Sequence, residues 1–199
     1  MTEFIIAGGP FMWPLLACSI LIITIGVERL WFLQVRLVTP NGLTNQIVNL
    51  FNKNLINTKQ ADEIAELSSL GFLLVSCIKY KNLPRENLES KIEEKAVEVK
   101  YSLEKNLNML GTIATISPLL GLLGTVIGMI SAFTGLSEAT GANPDALAAG
   151  ISQALITTAF GLFIAVPGLV IHKYFEQKVS FLLISLQIEV SRFIDVINK

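Results

Sequence analysis

The chain has 199 residues, of which 52% are hydrophobic and 16% charged, with a formal net charge of -1. This balance excludes an ordinary soluble domain and indicates a membrane protein, and the near-neutral charge gives no nucleic acid a reason to bind. Cys18, in an apolar run, and Cys77, in a polar region, form neither a metal nor a disulfide pattern, and both read as small packing residues.

Residues 1–10 carry Glu3 and no base, so the positive start of a secretory signal is missing. The first apolar run, 11–33, therefore reads as a retained transmembrane helix. Trp13 and Trp31 lie about 27 Å apart along such a helix at ~1.5 Å per residue, close to one hydrocarbon thickness. That separation suits aromatic belts at both interfaces. Glu28 and Arg29 read as a snorkelling pair at the inner interface, or else as an inter-subunit ion pair.

Residues 34–108 change character and hold most of the charge. Thr39, Pro40, Asn41 and Gly42 break the chain. Residues 43–55 and 57–67 fit amphipathic helices, with Thr58 as a cap for the second. Residues 71–80 make a helix too short to span a bilayer. After Pro84, Leu88, Ile92, Ala96, Val99, Leu103, Leu107 and Leu110 recur with a period of about 3.67, which tends away from a left-handed coil. The spacing predicts one unbroken helix from Pro84 into the membrane, ending near Phe133.

The second apolar run is expected at 109–133 and the third at 147–172. Between them lies a short polar loop, 134–146, with Asn143 and Pro144 as cap and first helical residue. An amphipathic segment, 173–199, follows and is compatible with a continuation of the third span. All 15 Lys and Arg lie in 29–105 or from Lys173 onward. Placing them inside puts residues 1–10 and 134–146 outside, and 34–108 and 173–199 in the cytoplasm. The fold class is thus an all-α integral membrane protein, with three transmembrane helices and a helical cytoplasmic domain. Long helices extend from the membrane into the cytoplasm.

Small residues stud the last two spans at helical spacing. Gly111, Thr115, Pro118, Gly121, Thr125, Gly128 and Ala132 form one row, and Gly150, Ala154, Thr157, Gly161, Ala165 and Gly168 form another. Such rows permit close helix packing, and Gly124 with Gly128 adds a further match. Pro118 and Pro167 free helix carbonyls locally. Each hydroxyl can bond back to its own helix or do more. Between Lys105 and His172 the only ionisable side chains are Glu138 and Asp145, both in the expected loop. Gln153 is polar but does not titrate. A proton pathway through lipid generally needs a titrating relay, so this chain moves no protons or depends on a partner's group. His172 reads as a helix-end residue. No catalytic triad, metal-ligand cluster or cofactor motif is present, so neither an enzyme nor a cofactor is expected.

The stretches GTIATISPLLGLLGTVIGMISAF (111–133) and GISQALITTAFGLFIAVPGLVIHKYF (150–175) resemble the MotA/TolQ/ExbB proton-channel family, most closely its ExbB and TolQ branch. Ser117-Pro118 and the core Gly121-Leu122-Leu123-Gly124-Thr125-Val126 carry the first likeness. ERLWFL (28–33) is similar to the end of the family's first span. The resemblance implies a ring-forming homopentamer in the inner membrane of Gram-negative bacteria, with residues 1–10 periplasmic. It implies a single-span ExbD- or TolR-like partner inside the ring, whose membrane Asp carries the proton, and a TonB- or TolA-like protein that receives the work. Family pore threonines map onto Thr125 and Thr158, with Thr157 and Gln153 as further pore-lining candidates. Gly121, Gly124, Gly128, Gly150 and Gly161 are the packing positions, with Pro118 and Pro167. Several family members carry Glu where this chain has Gln153, which puts in doubt any scheme needing a carboxylate from this subunit.

Overall fold

The computed structural model describes residues 7–52, 58–138 and 144–197. Among them the regular elements are α-helices: α1 (Met12–Phe32), α2 (Val35–Val38), α3 (Leu43–Asn52), α4 (Thr58–Leu67), α5 (Ser69–Lys79), α6 (Arg85–Glu104), α7 (Leu107–Glu138) and α8 (Pro144–Ile197). Three of them, α1, α7 and α8, are long and apolar enough to cross a membrane, and α5 is a shorter apolar helix. The chain divides into two compact units, one of residues 1–28 and 106–174, the other of 29–105 and 175–199.

The first unit holds α1, α7 and the first part of α8. Pro144 opens α8, as its fixed φ and missing N–H favour. The Asn143 cap and residues 139–143 of the expected loop lie outside the described residues. Ala114, Ala132, Ala154 and Ala165 are buried, whereas Leu119, Phe163 and Val170 are 59%, 77% and 65% exposed. Small side chains inside and large ones outside is the arrangement that membrane helices use, because lipid solvates Leu and Phe without penalty.

The second unit holds α3 to α6 and the C-terminal part of α8. Its core is formed by Leu70, Leu73, Leu74 and Cys77 of α5 with Leu88, Ile92, Val99 and Leu103 of α6. From α8 come Phe175, Val179, Leu182, Leu186, Val190 and Phe193, buried at helical spacing. The expected C-terminal helix is thus continuous with the third apolar run in a single helix of 54 residues. Ser68 caps α5 by accepting the Gly71 N–H at 3.0 Å. Polar links tie α8 to this unit. Thr44 donates to Glu189 at 2.6 Å, and Arg85 pairs with Asp195 at 2.9 Å. Burial pushes the Cys77 thiol up to about 12, so it remains a protonated packing residue.

Three expectations are corrected, and the first is the end of the second span: α7 runs to Glu138 rather than stopping near Phe133, so 134–138 are helix and not loop. The helix after Pro84 is not continuous: α6 ends at Glu104 and α7 begins at Leu107. Lys105 is extended, with ψ 137°, and Asn106 is left-handed, with φ 63°. Asn tolerates that region better than other side chains. The Asn106 carbonyl starts α7 by accepting the Leu110 N–H at 3.0 Å, and its side-chain amide donates to both Glu28 carboxylate oxygens at 3.2 and 3.0 Å. The stripe hides the break because Leu103, Leu107 and Leu110 are buried on either side of it. Nor does Arg29 snorkel to an interface. Glu28 holds Asn106, while Arg29 is only 2% exposed and donates to the Leu103 carbonyl at 3.4 Å. Its guanidinium also lies 5.2 Å from the centre of the Phe32 ring.

The turn at Asn106 separates two costs. Asn106→Gly should lose only the hydrogen bonds to Glu28. Asn106→Val should lose those bonds and add about 1–2 kcal/mol of left-handed strain. Thermal unfolding of the detergent-extracted protein should therefore rank wild type above Gly and Gly above Val. Equal Gly and Val values would show that the backbone there is not strained.

Candidate functional site

The candidate site is the seam between α7 and α8. The two helices run antiparallel, and glycines let their backbones meet. A Cβ at Gly161 would fall 2.8 Å from the Ser117 carbonyl oxygen and 3.0 Å from the Gly121 Cα. A Cβ at Gly128 would fall 2.9 Å from the Gly150 carbonyl oxygen. One at Gly121 would lie 3.0 Å from the Thr157 carbonyl oxygen and 3.1 Å from the Thr158 Cα. The backbone cannot yield as a side chain can, so glycine is required at these positions. Farther along, Gly168 sits between Ala114 of α7 and Ile22 of α1. The expected packing residues Gly121, Gly124, Gly128, Gly150 and Gly161 are therefore brought together in one seam.

The pore candidates are distributed differently. Thr157 is fully buried, and its hydroxyl fills the space over Gly124. It donates to the Gln153 and Ala154 carbonyls of its own helix at 3.1 and 2.9 Å. Thr158 reaches across the seam and donates to the Gly121 carbonyl at 3.2 Å. Thr125 donates to the Leu122 carbonyl at 2.6 Å. It borders an open cleft of about 530 Å³ with Val126, Met129 and Phe133. Gln153 lies against Gly9, where any side chain would run into its amide, and Gly9 has a φ of +71° that suits glycine.

These contacts define two sides of α8. Gln153 meets Gly9, Ile156 meets Gly8 and Ile171 meets Gly26, so α1 and the segment before it lie on one side. Turning about 100° per residue, Thr158 and Ala165 fall on the opposite side of the seam. Thr157 occupies the seam itself. Of the four candidates, Thr157 is buried, while Thr125, Gln153 and Thr158 are half-exposed, Gln153 against Gly9 and Thr158 at the seam.

The hydroxyl chemistry follows from the carbonyls. Thr125 and Thr158 spend their protons on backbone oxygens, leaving their lone pairs free to accept. Each can accept from a protonated acid brought alongside, and neither is placed to donate to an ionised one. Pro118 and Pro167 lie inside α7 and α8 without ending them. Each removes the N–H that the Ala114 or Phe163 carbonyl would take in an unbroken helix. Sequence reasoning missed the Gly9–Gln153 contact and the seat of His172 on Gly111. The second had a signal, since His172 is the chain's 1 histidine and stands one row-step beyond Gly168.

The sequence comparisons agree on one family. A model described as the MotA/TolQ/ExbB proton channel family matches residues 44–187. The putative biopolymer transport protein ExbB-like 1 of Synechocystis sp. is 32% identical over 176 residues, covering 87% of this chain and 69% of that protein. The biopolymer transport protein exbB1 of Vibrio cholerae is 34% identical over 169 residues, covering 80% of this chain and 72% of the other. The Tol-Pal system protein TolQ of Haemophilus influenzae is 43% identical over 79 residues, covering 40% of this chain and 35% of its own length.

The seam makes a compensation testable. Gly124→Ala places a methyl against the Thr157 side chain and should cost about 1–3 kcal/mol by overpacking. Adding Thr157→Gly should recover much of that loss in a double-mutant cycle. Gly161→Ala meets backbone, so no side-chain change opposite should rescue it. Additive effects of the Gly124 and Thr157 changes on thermal stability would contradict this packing.

Proposed function

This chain belongs to the MotA/TolQ/ExbB proton channel family, and from that premise we propose that it is the ring-forming subunit of an inner-membrane motor driven by the proton motive force. Five copies surround a single-span, ExbD-like partner, and the complex energises TonB-dependent transport across the outer membrane. Residues 1–10 and 134–146 face the periplasm, and 34–108 and 173–199 the cytoplasm, as the placement of the bases requires.

One observation supports the reading above others. The spans carry hydroxyls with free lone pairs, yet between Lys105 and His172 no acid occurs except Glu138 and Asp145. A lining of acceptors without its own titrating group suits a ring whose proton carrier is supplied from within. A protonated carboxyl on the partner donates to Thr158 or Thr125, and that bond favours its neutral form. Neutral, it can face the apolar stretch; ionised, it would be costly there. Thr157 and Gln153 support this face from behind, one locking the seam and the other anchoring the turn at Gly9.

The likeness to TolQ of Haemophilus influenzae favours a second role for the same machinery, in a Tol-Pal system acting on envelope integrity and division. A deletion that leaves uptake intact but weakens the envelope would assign that role. A third reading, a membrane scaffold that conducts nothing, lacks a use for the open hydroxyls.

Thr158→Val keeps the shape of the side chain and removes the acceptor. Energised uptake should fall at least ~fivefold, as expected for losing a hydrogen bond worth about 1–3 kcal/mol. Assembly in the membrane should be unchanged, and Thr158→Ser should retain activity. Wild-type uptake by the Val variant would remove Thr158 from the path.

A further inference from the structure

Thr158, Ala165 and His172 stand seven residues apart on α8, so they form one strip that drifts by only about 20° per heptad. The strip lies on the side of α8 turned away from α1, along the edge of the α7 seam, with Thr158 half-buried and Ala165 buried. At its far end His172 is seated in a specific way. Its imidazole lies against Gly111 of α7, where a Cβ would fall 2.8 Å from Nε2 and 3.0 Å from Cδ2. Only glycine at 111 leaves room for the ring in this position. Beside it opens a cleft of about 560 Å³, lined by Asn108, Thr112 and Thr115 of α7 and by Leu169, His172 and Lys173 of α8. The cleft is largely apolar, with Asn108, Thr112, Thr115, His172 and Lys173 as the polar groups at its edge.

We propose that His172 is the proton-transfer group at the inner mouth of the path that begins at Thr158, an inference that rests on the motor reading above. The imidazole takes a proton at one ring nitrogen from the partner's carboxyl or from water in the ring. The same proton then leaves the imidazolium for water on the cytoplasmic side, so charge and atoms balance with no other reactant. Imidazole suits the step because it alone among side chains ordinarily exchanges protons between pH 5 and 8. Glu176 follows His172 by one turn on α8. Its own helix brings Lys173 as the charged neighbour in the cleft, α7 brings Asn108, Thr112 and Thr115, none of which titrates in this range, and α1 meets α8 at Gly26 and Ile171. Between Thr158 and His172 the strip spans about 21 Å at ~1.5 Å per residue and offers no titrating group. A proton station at its inner end therefore shortens the passage to bulk water.

Proton flux out of acid-loaded inverted membrane vesicles from cells carrying the chain and its native partners tests this, taken as the difference from vesicles lacking the chain. His172→Ala should lower that flux ~100-fold or more, the low end of what one acid–base group contributes. Imidazole added on the cytoplasmic face should enter the vacated cleft and restore most of it. The same addition should leave wild type and Thr158→Val unchanged. His172→Gln, which fills the seat without titrating, should be as slow as Ala. Normal flux in both His172 variants, or a loss in His172→Ala that imidazole leaves untouched, would overturn the role of His172 alone. Absence of chain-dependent flux in wild type would overturn the motor reading and this inference together.

Discussion

The contact between the α7 and α8 backbones is the constraint on which the rest depends. In lipid, large apolar side chains gain nothing by turning inward, so helices must associate through close fit. Gly121, Gly128, Gly150 and Gly161 provide that fit by leaving no Cβ between the chains. Once the register is set, each polar side chain has a determined place. Thr157 is directed into the space over Gly124, Thr158 reaches the Gly121 carbonyl, and His172 lies on Gly111. A shift of one residue along the seam would replace these contacts with collisions.

The seam also explains why hydroxyls serve where charges would fail. An ionised group facing hydrocarbon is expensive, whereas a threonine that donates to a helix carbonyl satisfies its own proton and keeps lone pairs to spare. Thr125 and Thr158 are placed in this state by local geometry. They are passive acceptors, and an acceptor has an effect only when a proton donor comes to it. This asymmetry is what the proposed single-span partner would complete.

Much of this was legible in the amino-acid sequence, and its failures are instructive. The three spans and the two small-residue rows are periodic signals, repeated many times, so single exceptions do not erase them. The break before Leu107 rests on one residue, Asn106, while the apolar period runs on through Leu103, Leu107 and Leu110. A period reports which face is buried and is silent about one residue's dihedral angle. Thr157 and Thr158 are adjacent and alike, yet about 100° of helix rotation separates seam from open face. Composition cannot rank them; only register can. The contact of Gln153 with Gly9 and the burial of Arg29 beneath the Leu103 carbonyl join residues far apart in the chain, and no local pattern announces either.

The central claim is that the spans of this chain offer hydrogen-bond acceptors to a partner's proton carrier and conduct no protons by themselves. Reconstitution in sealed vesicles tests it directly, comparing the chain alone with the chain and its single-span partner under an imposed proton gradient. No flux above empty vesicles is expected from the chain alone, and flux that depends on the partner's membrane carboxyl is expected from the two together. Steady proton flux through the chain alone would contradict the account.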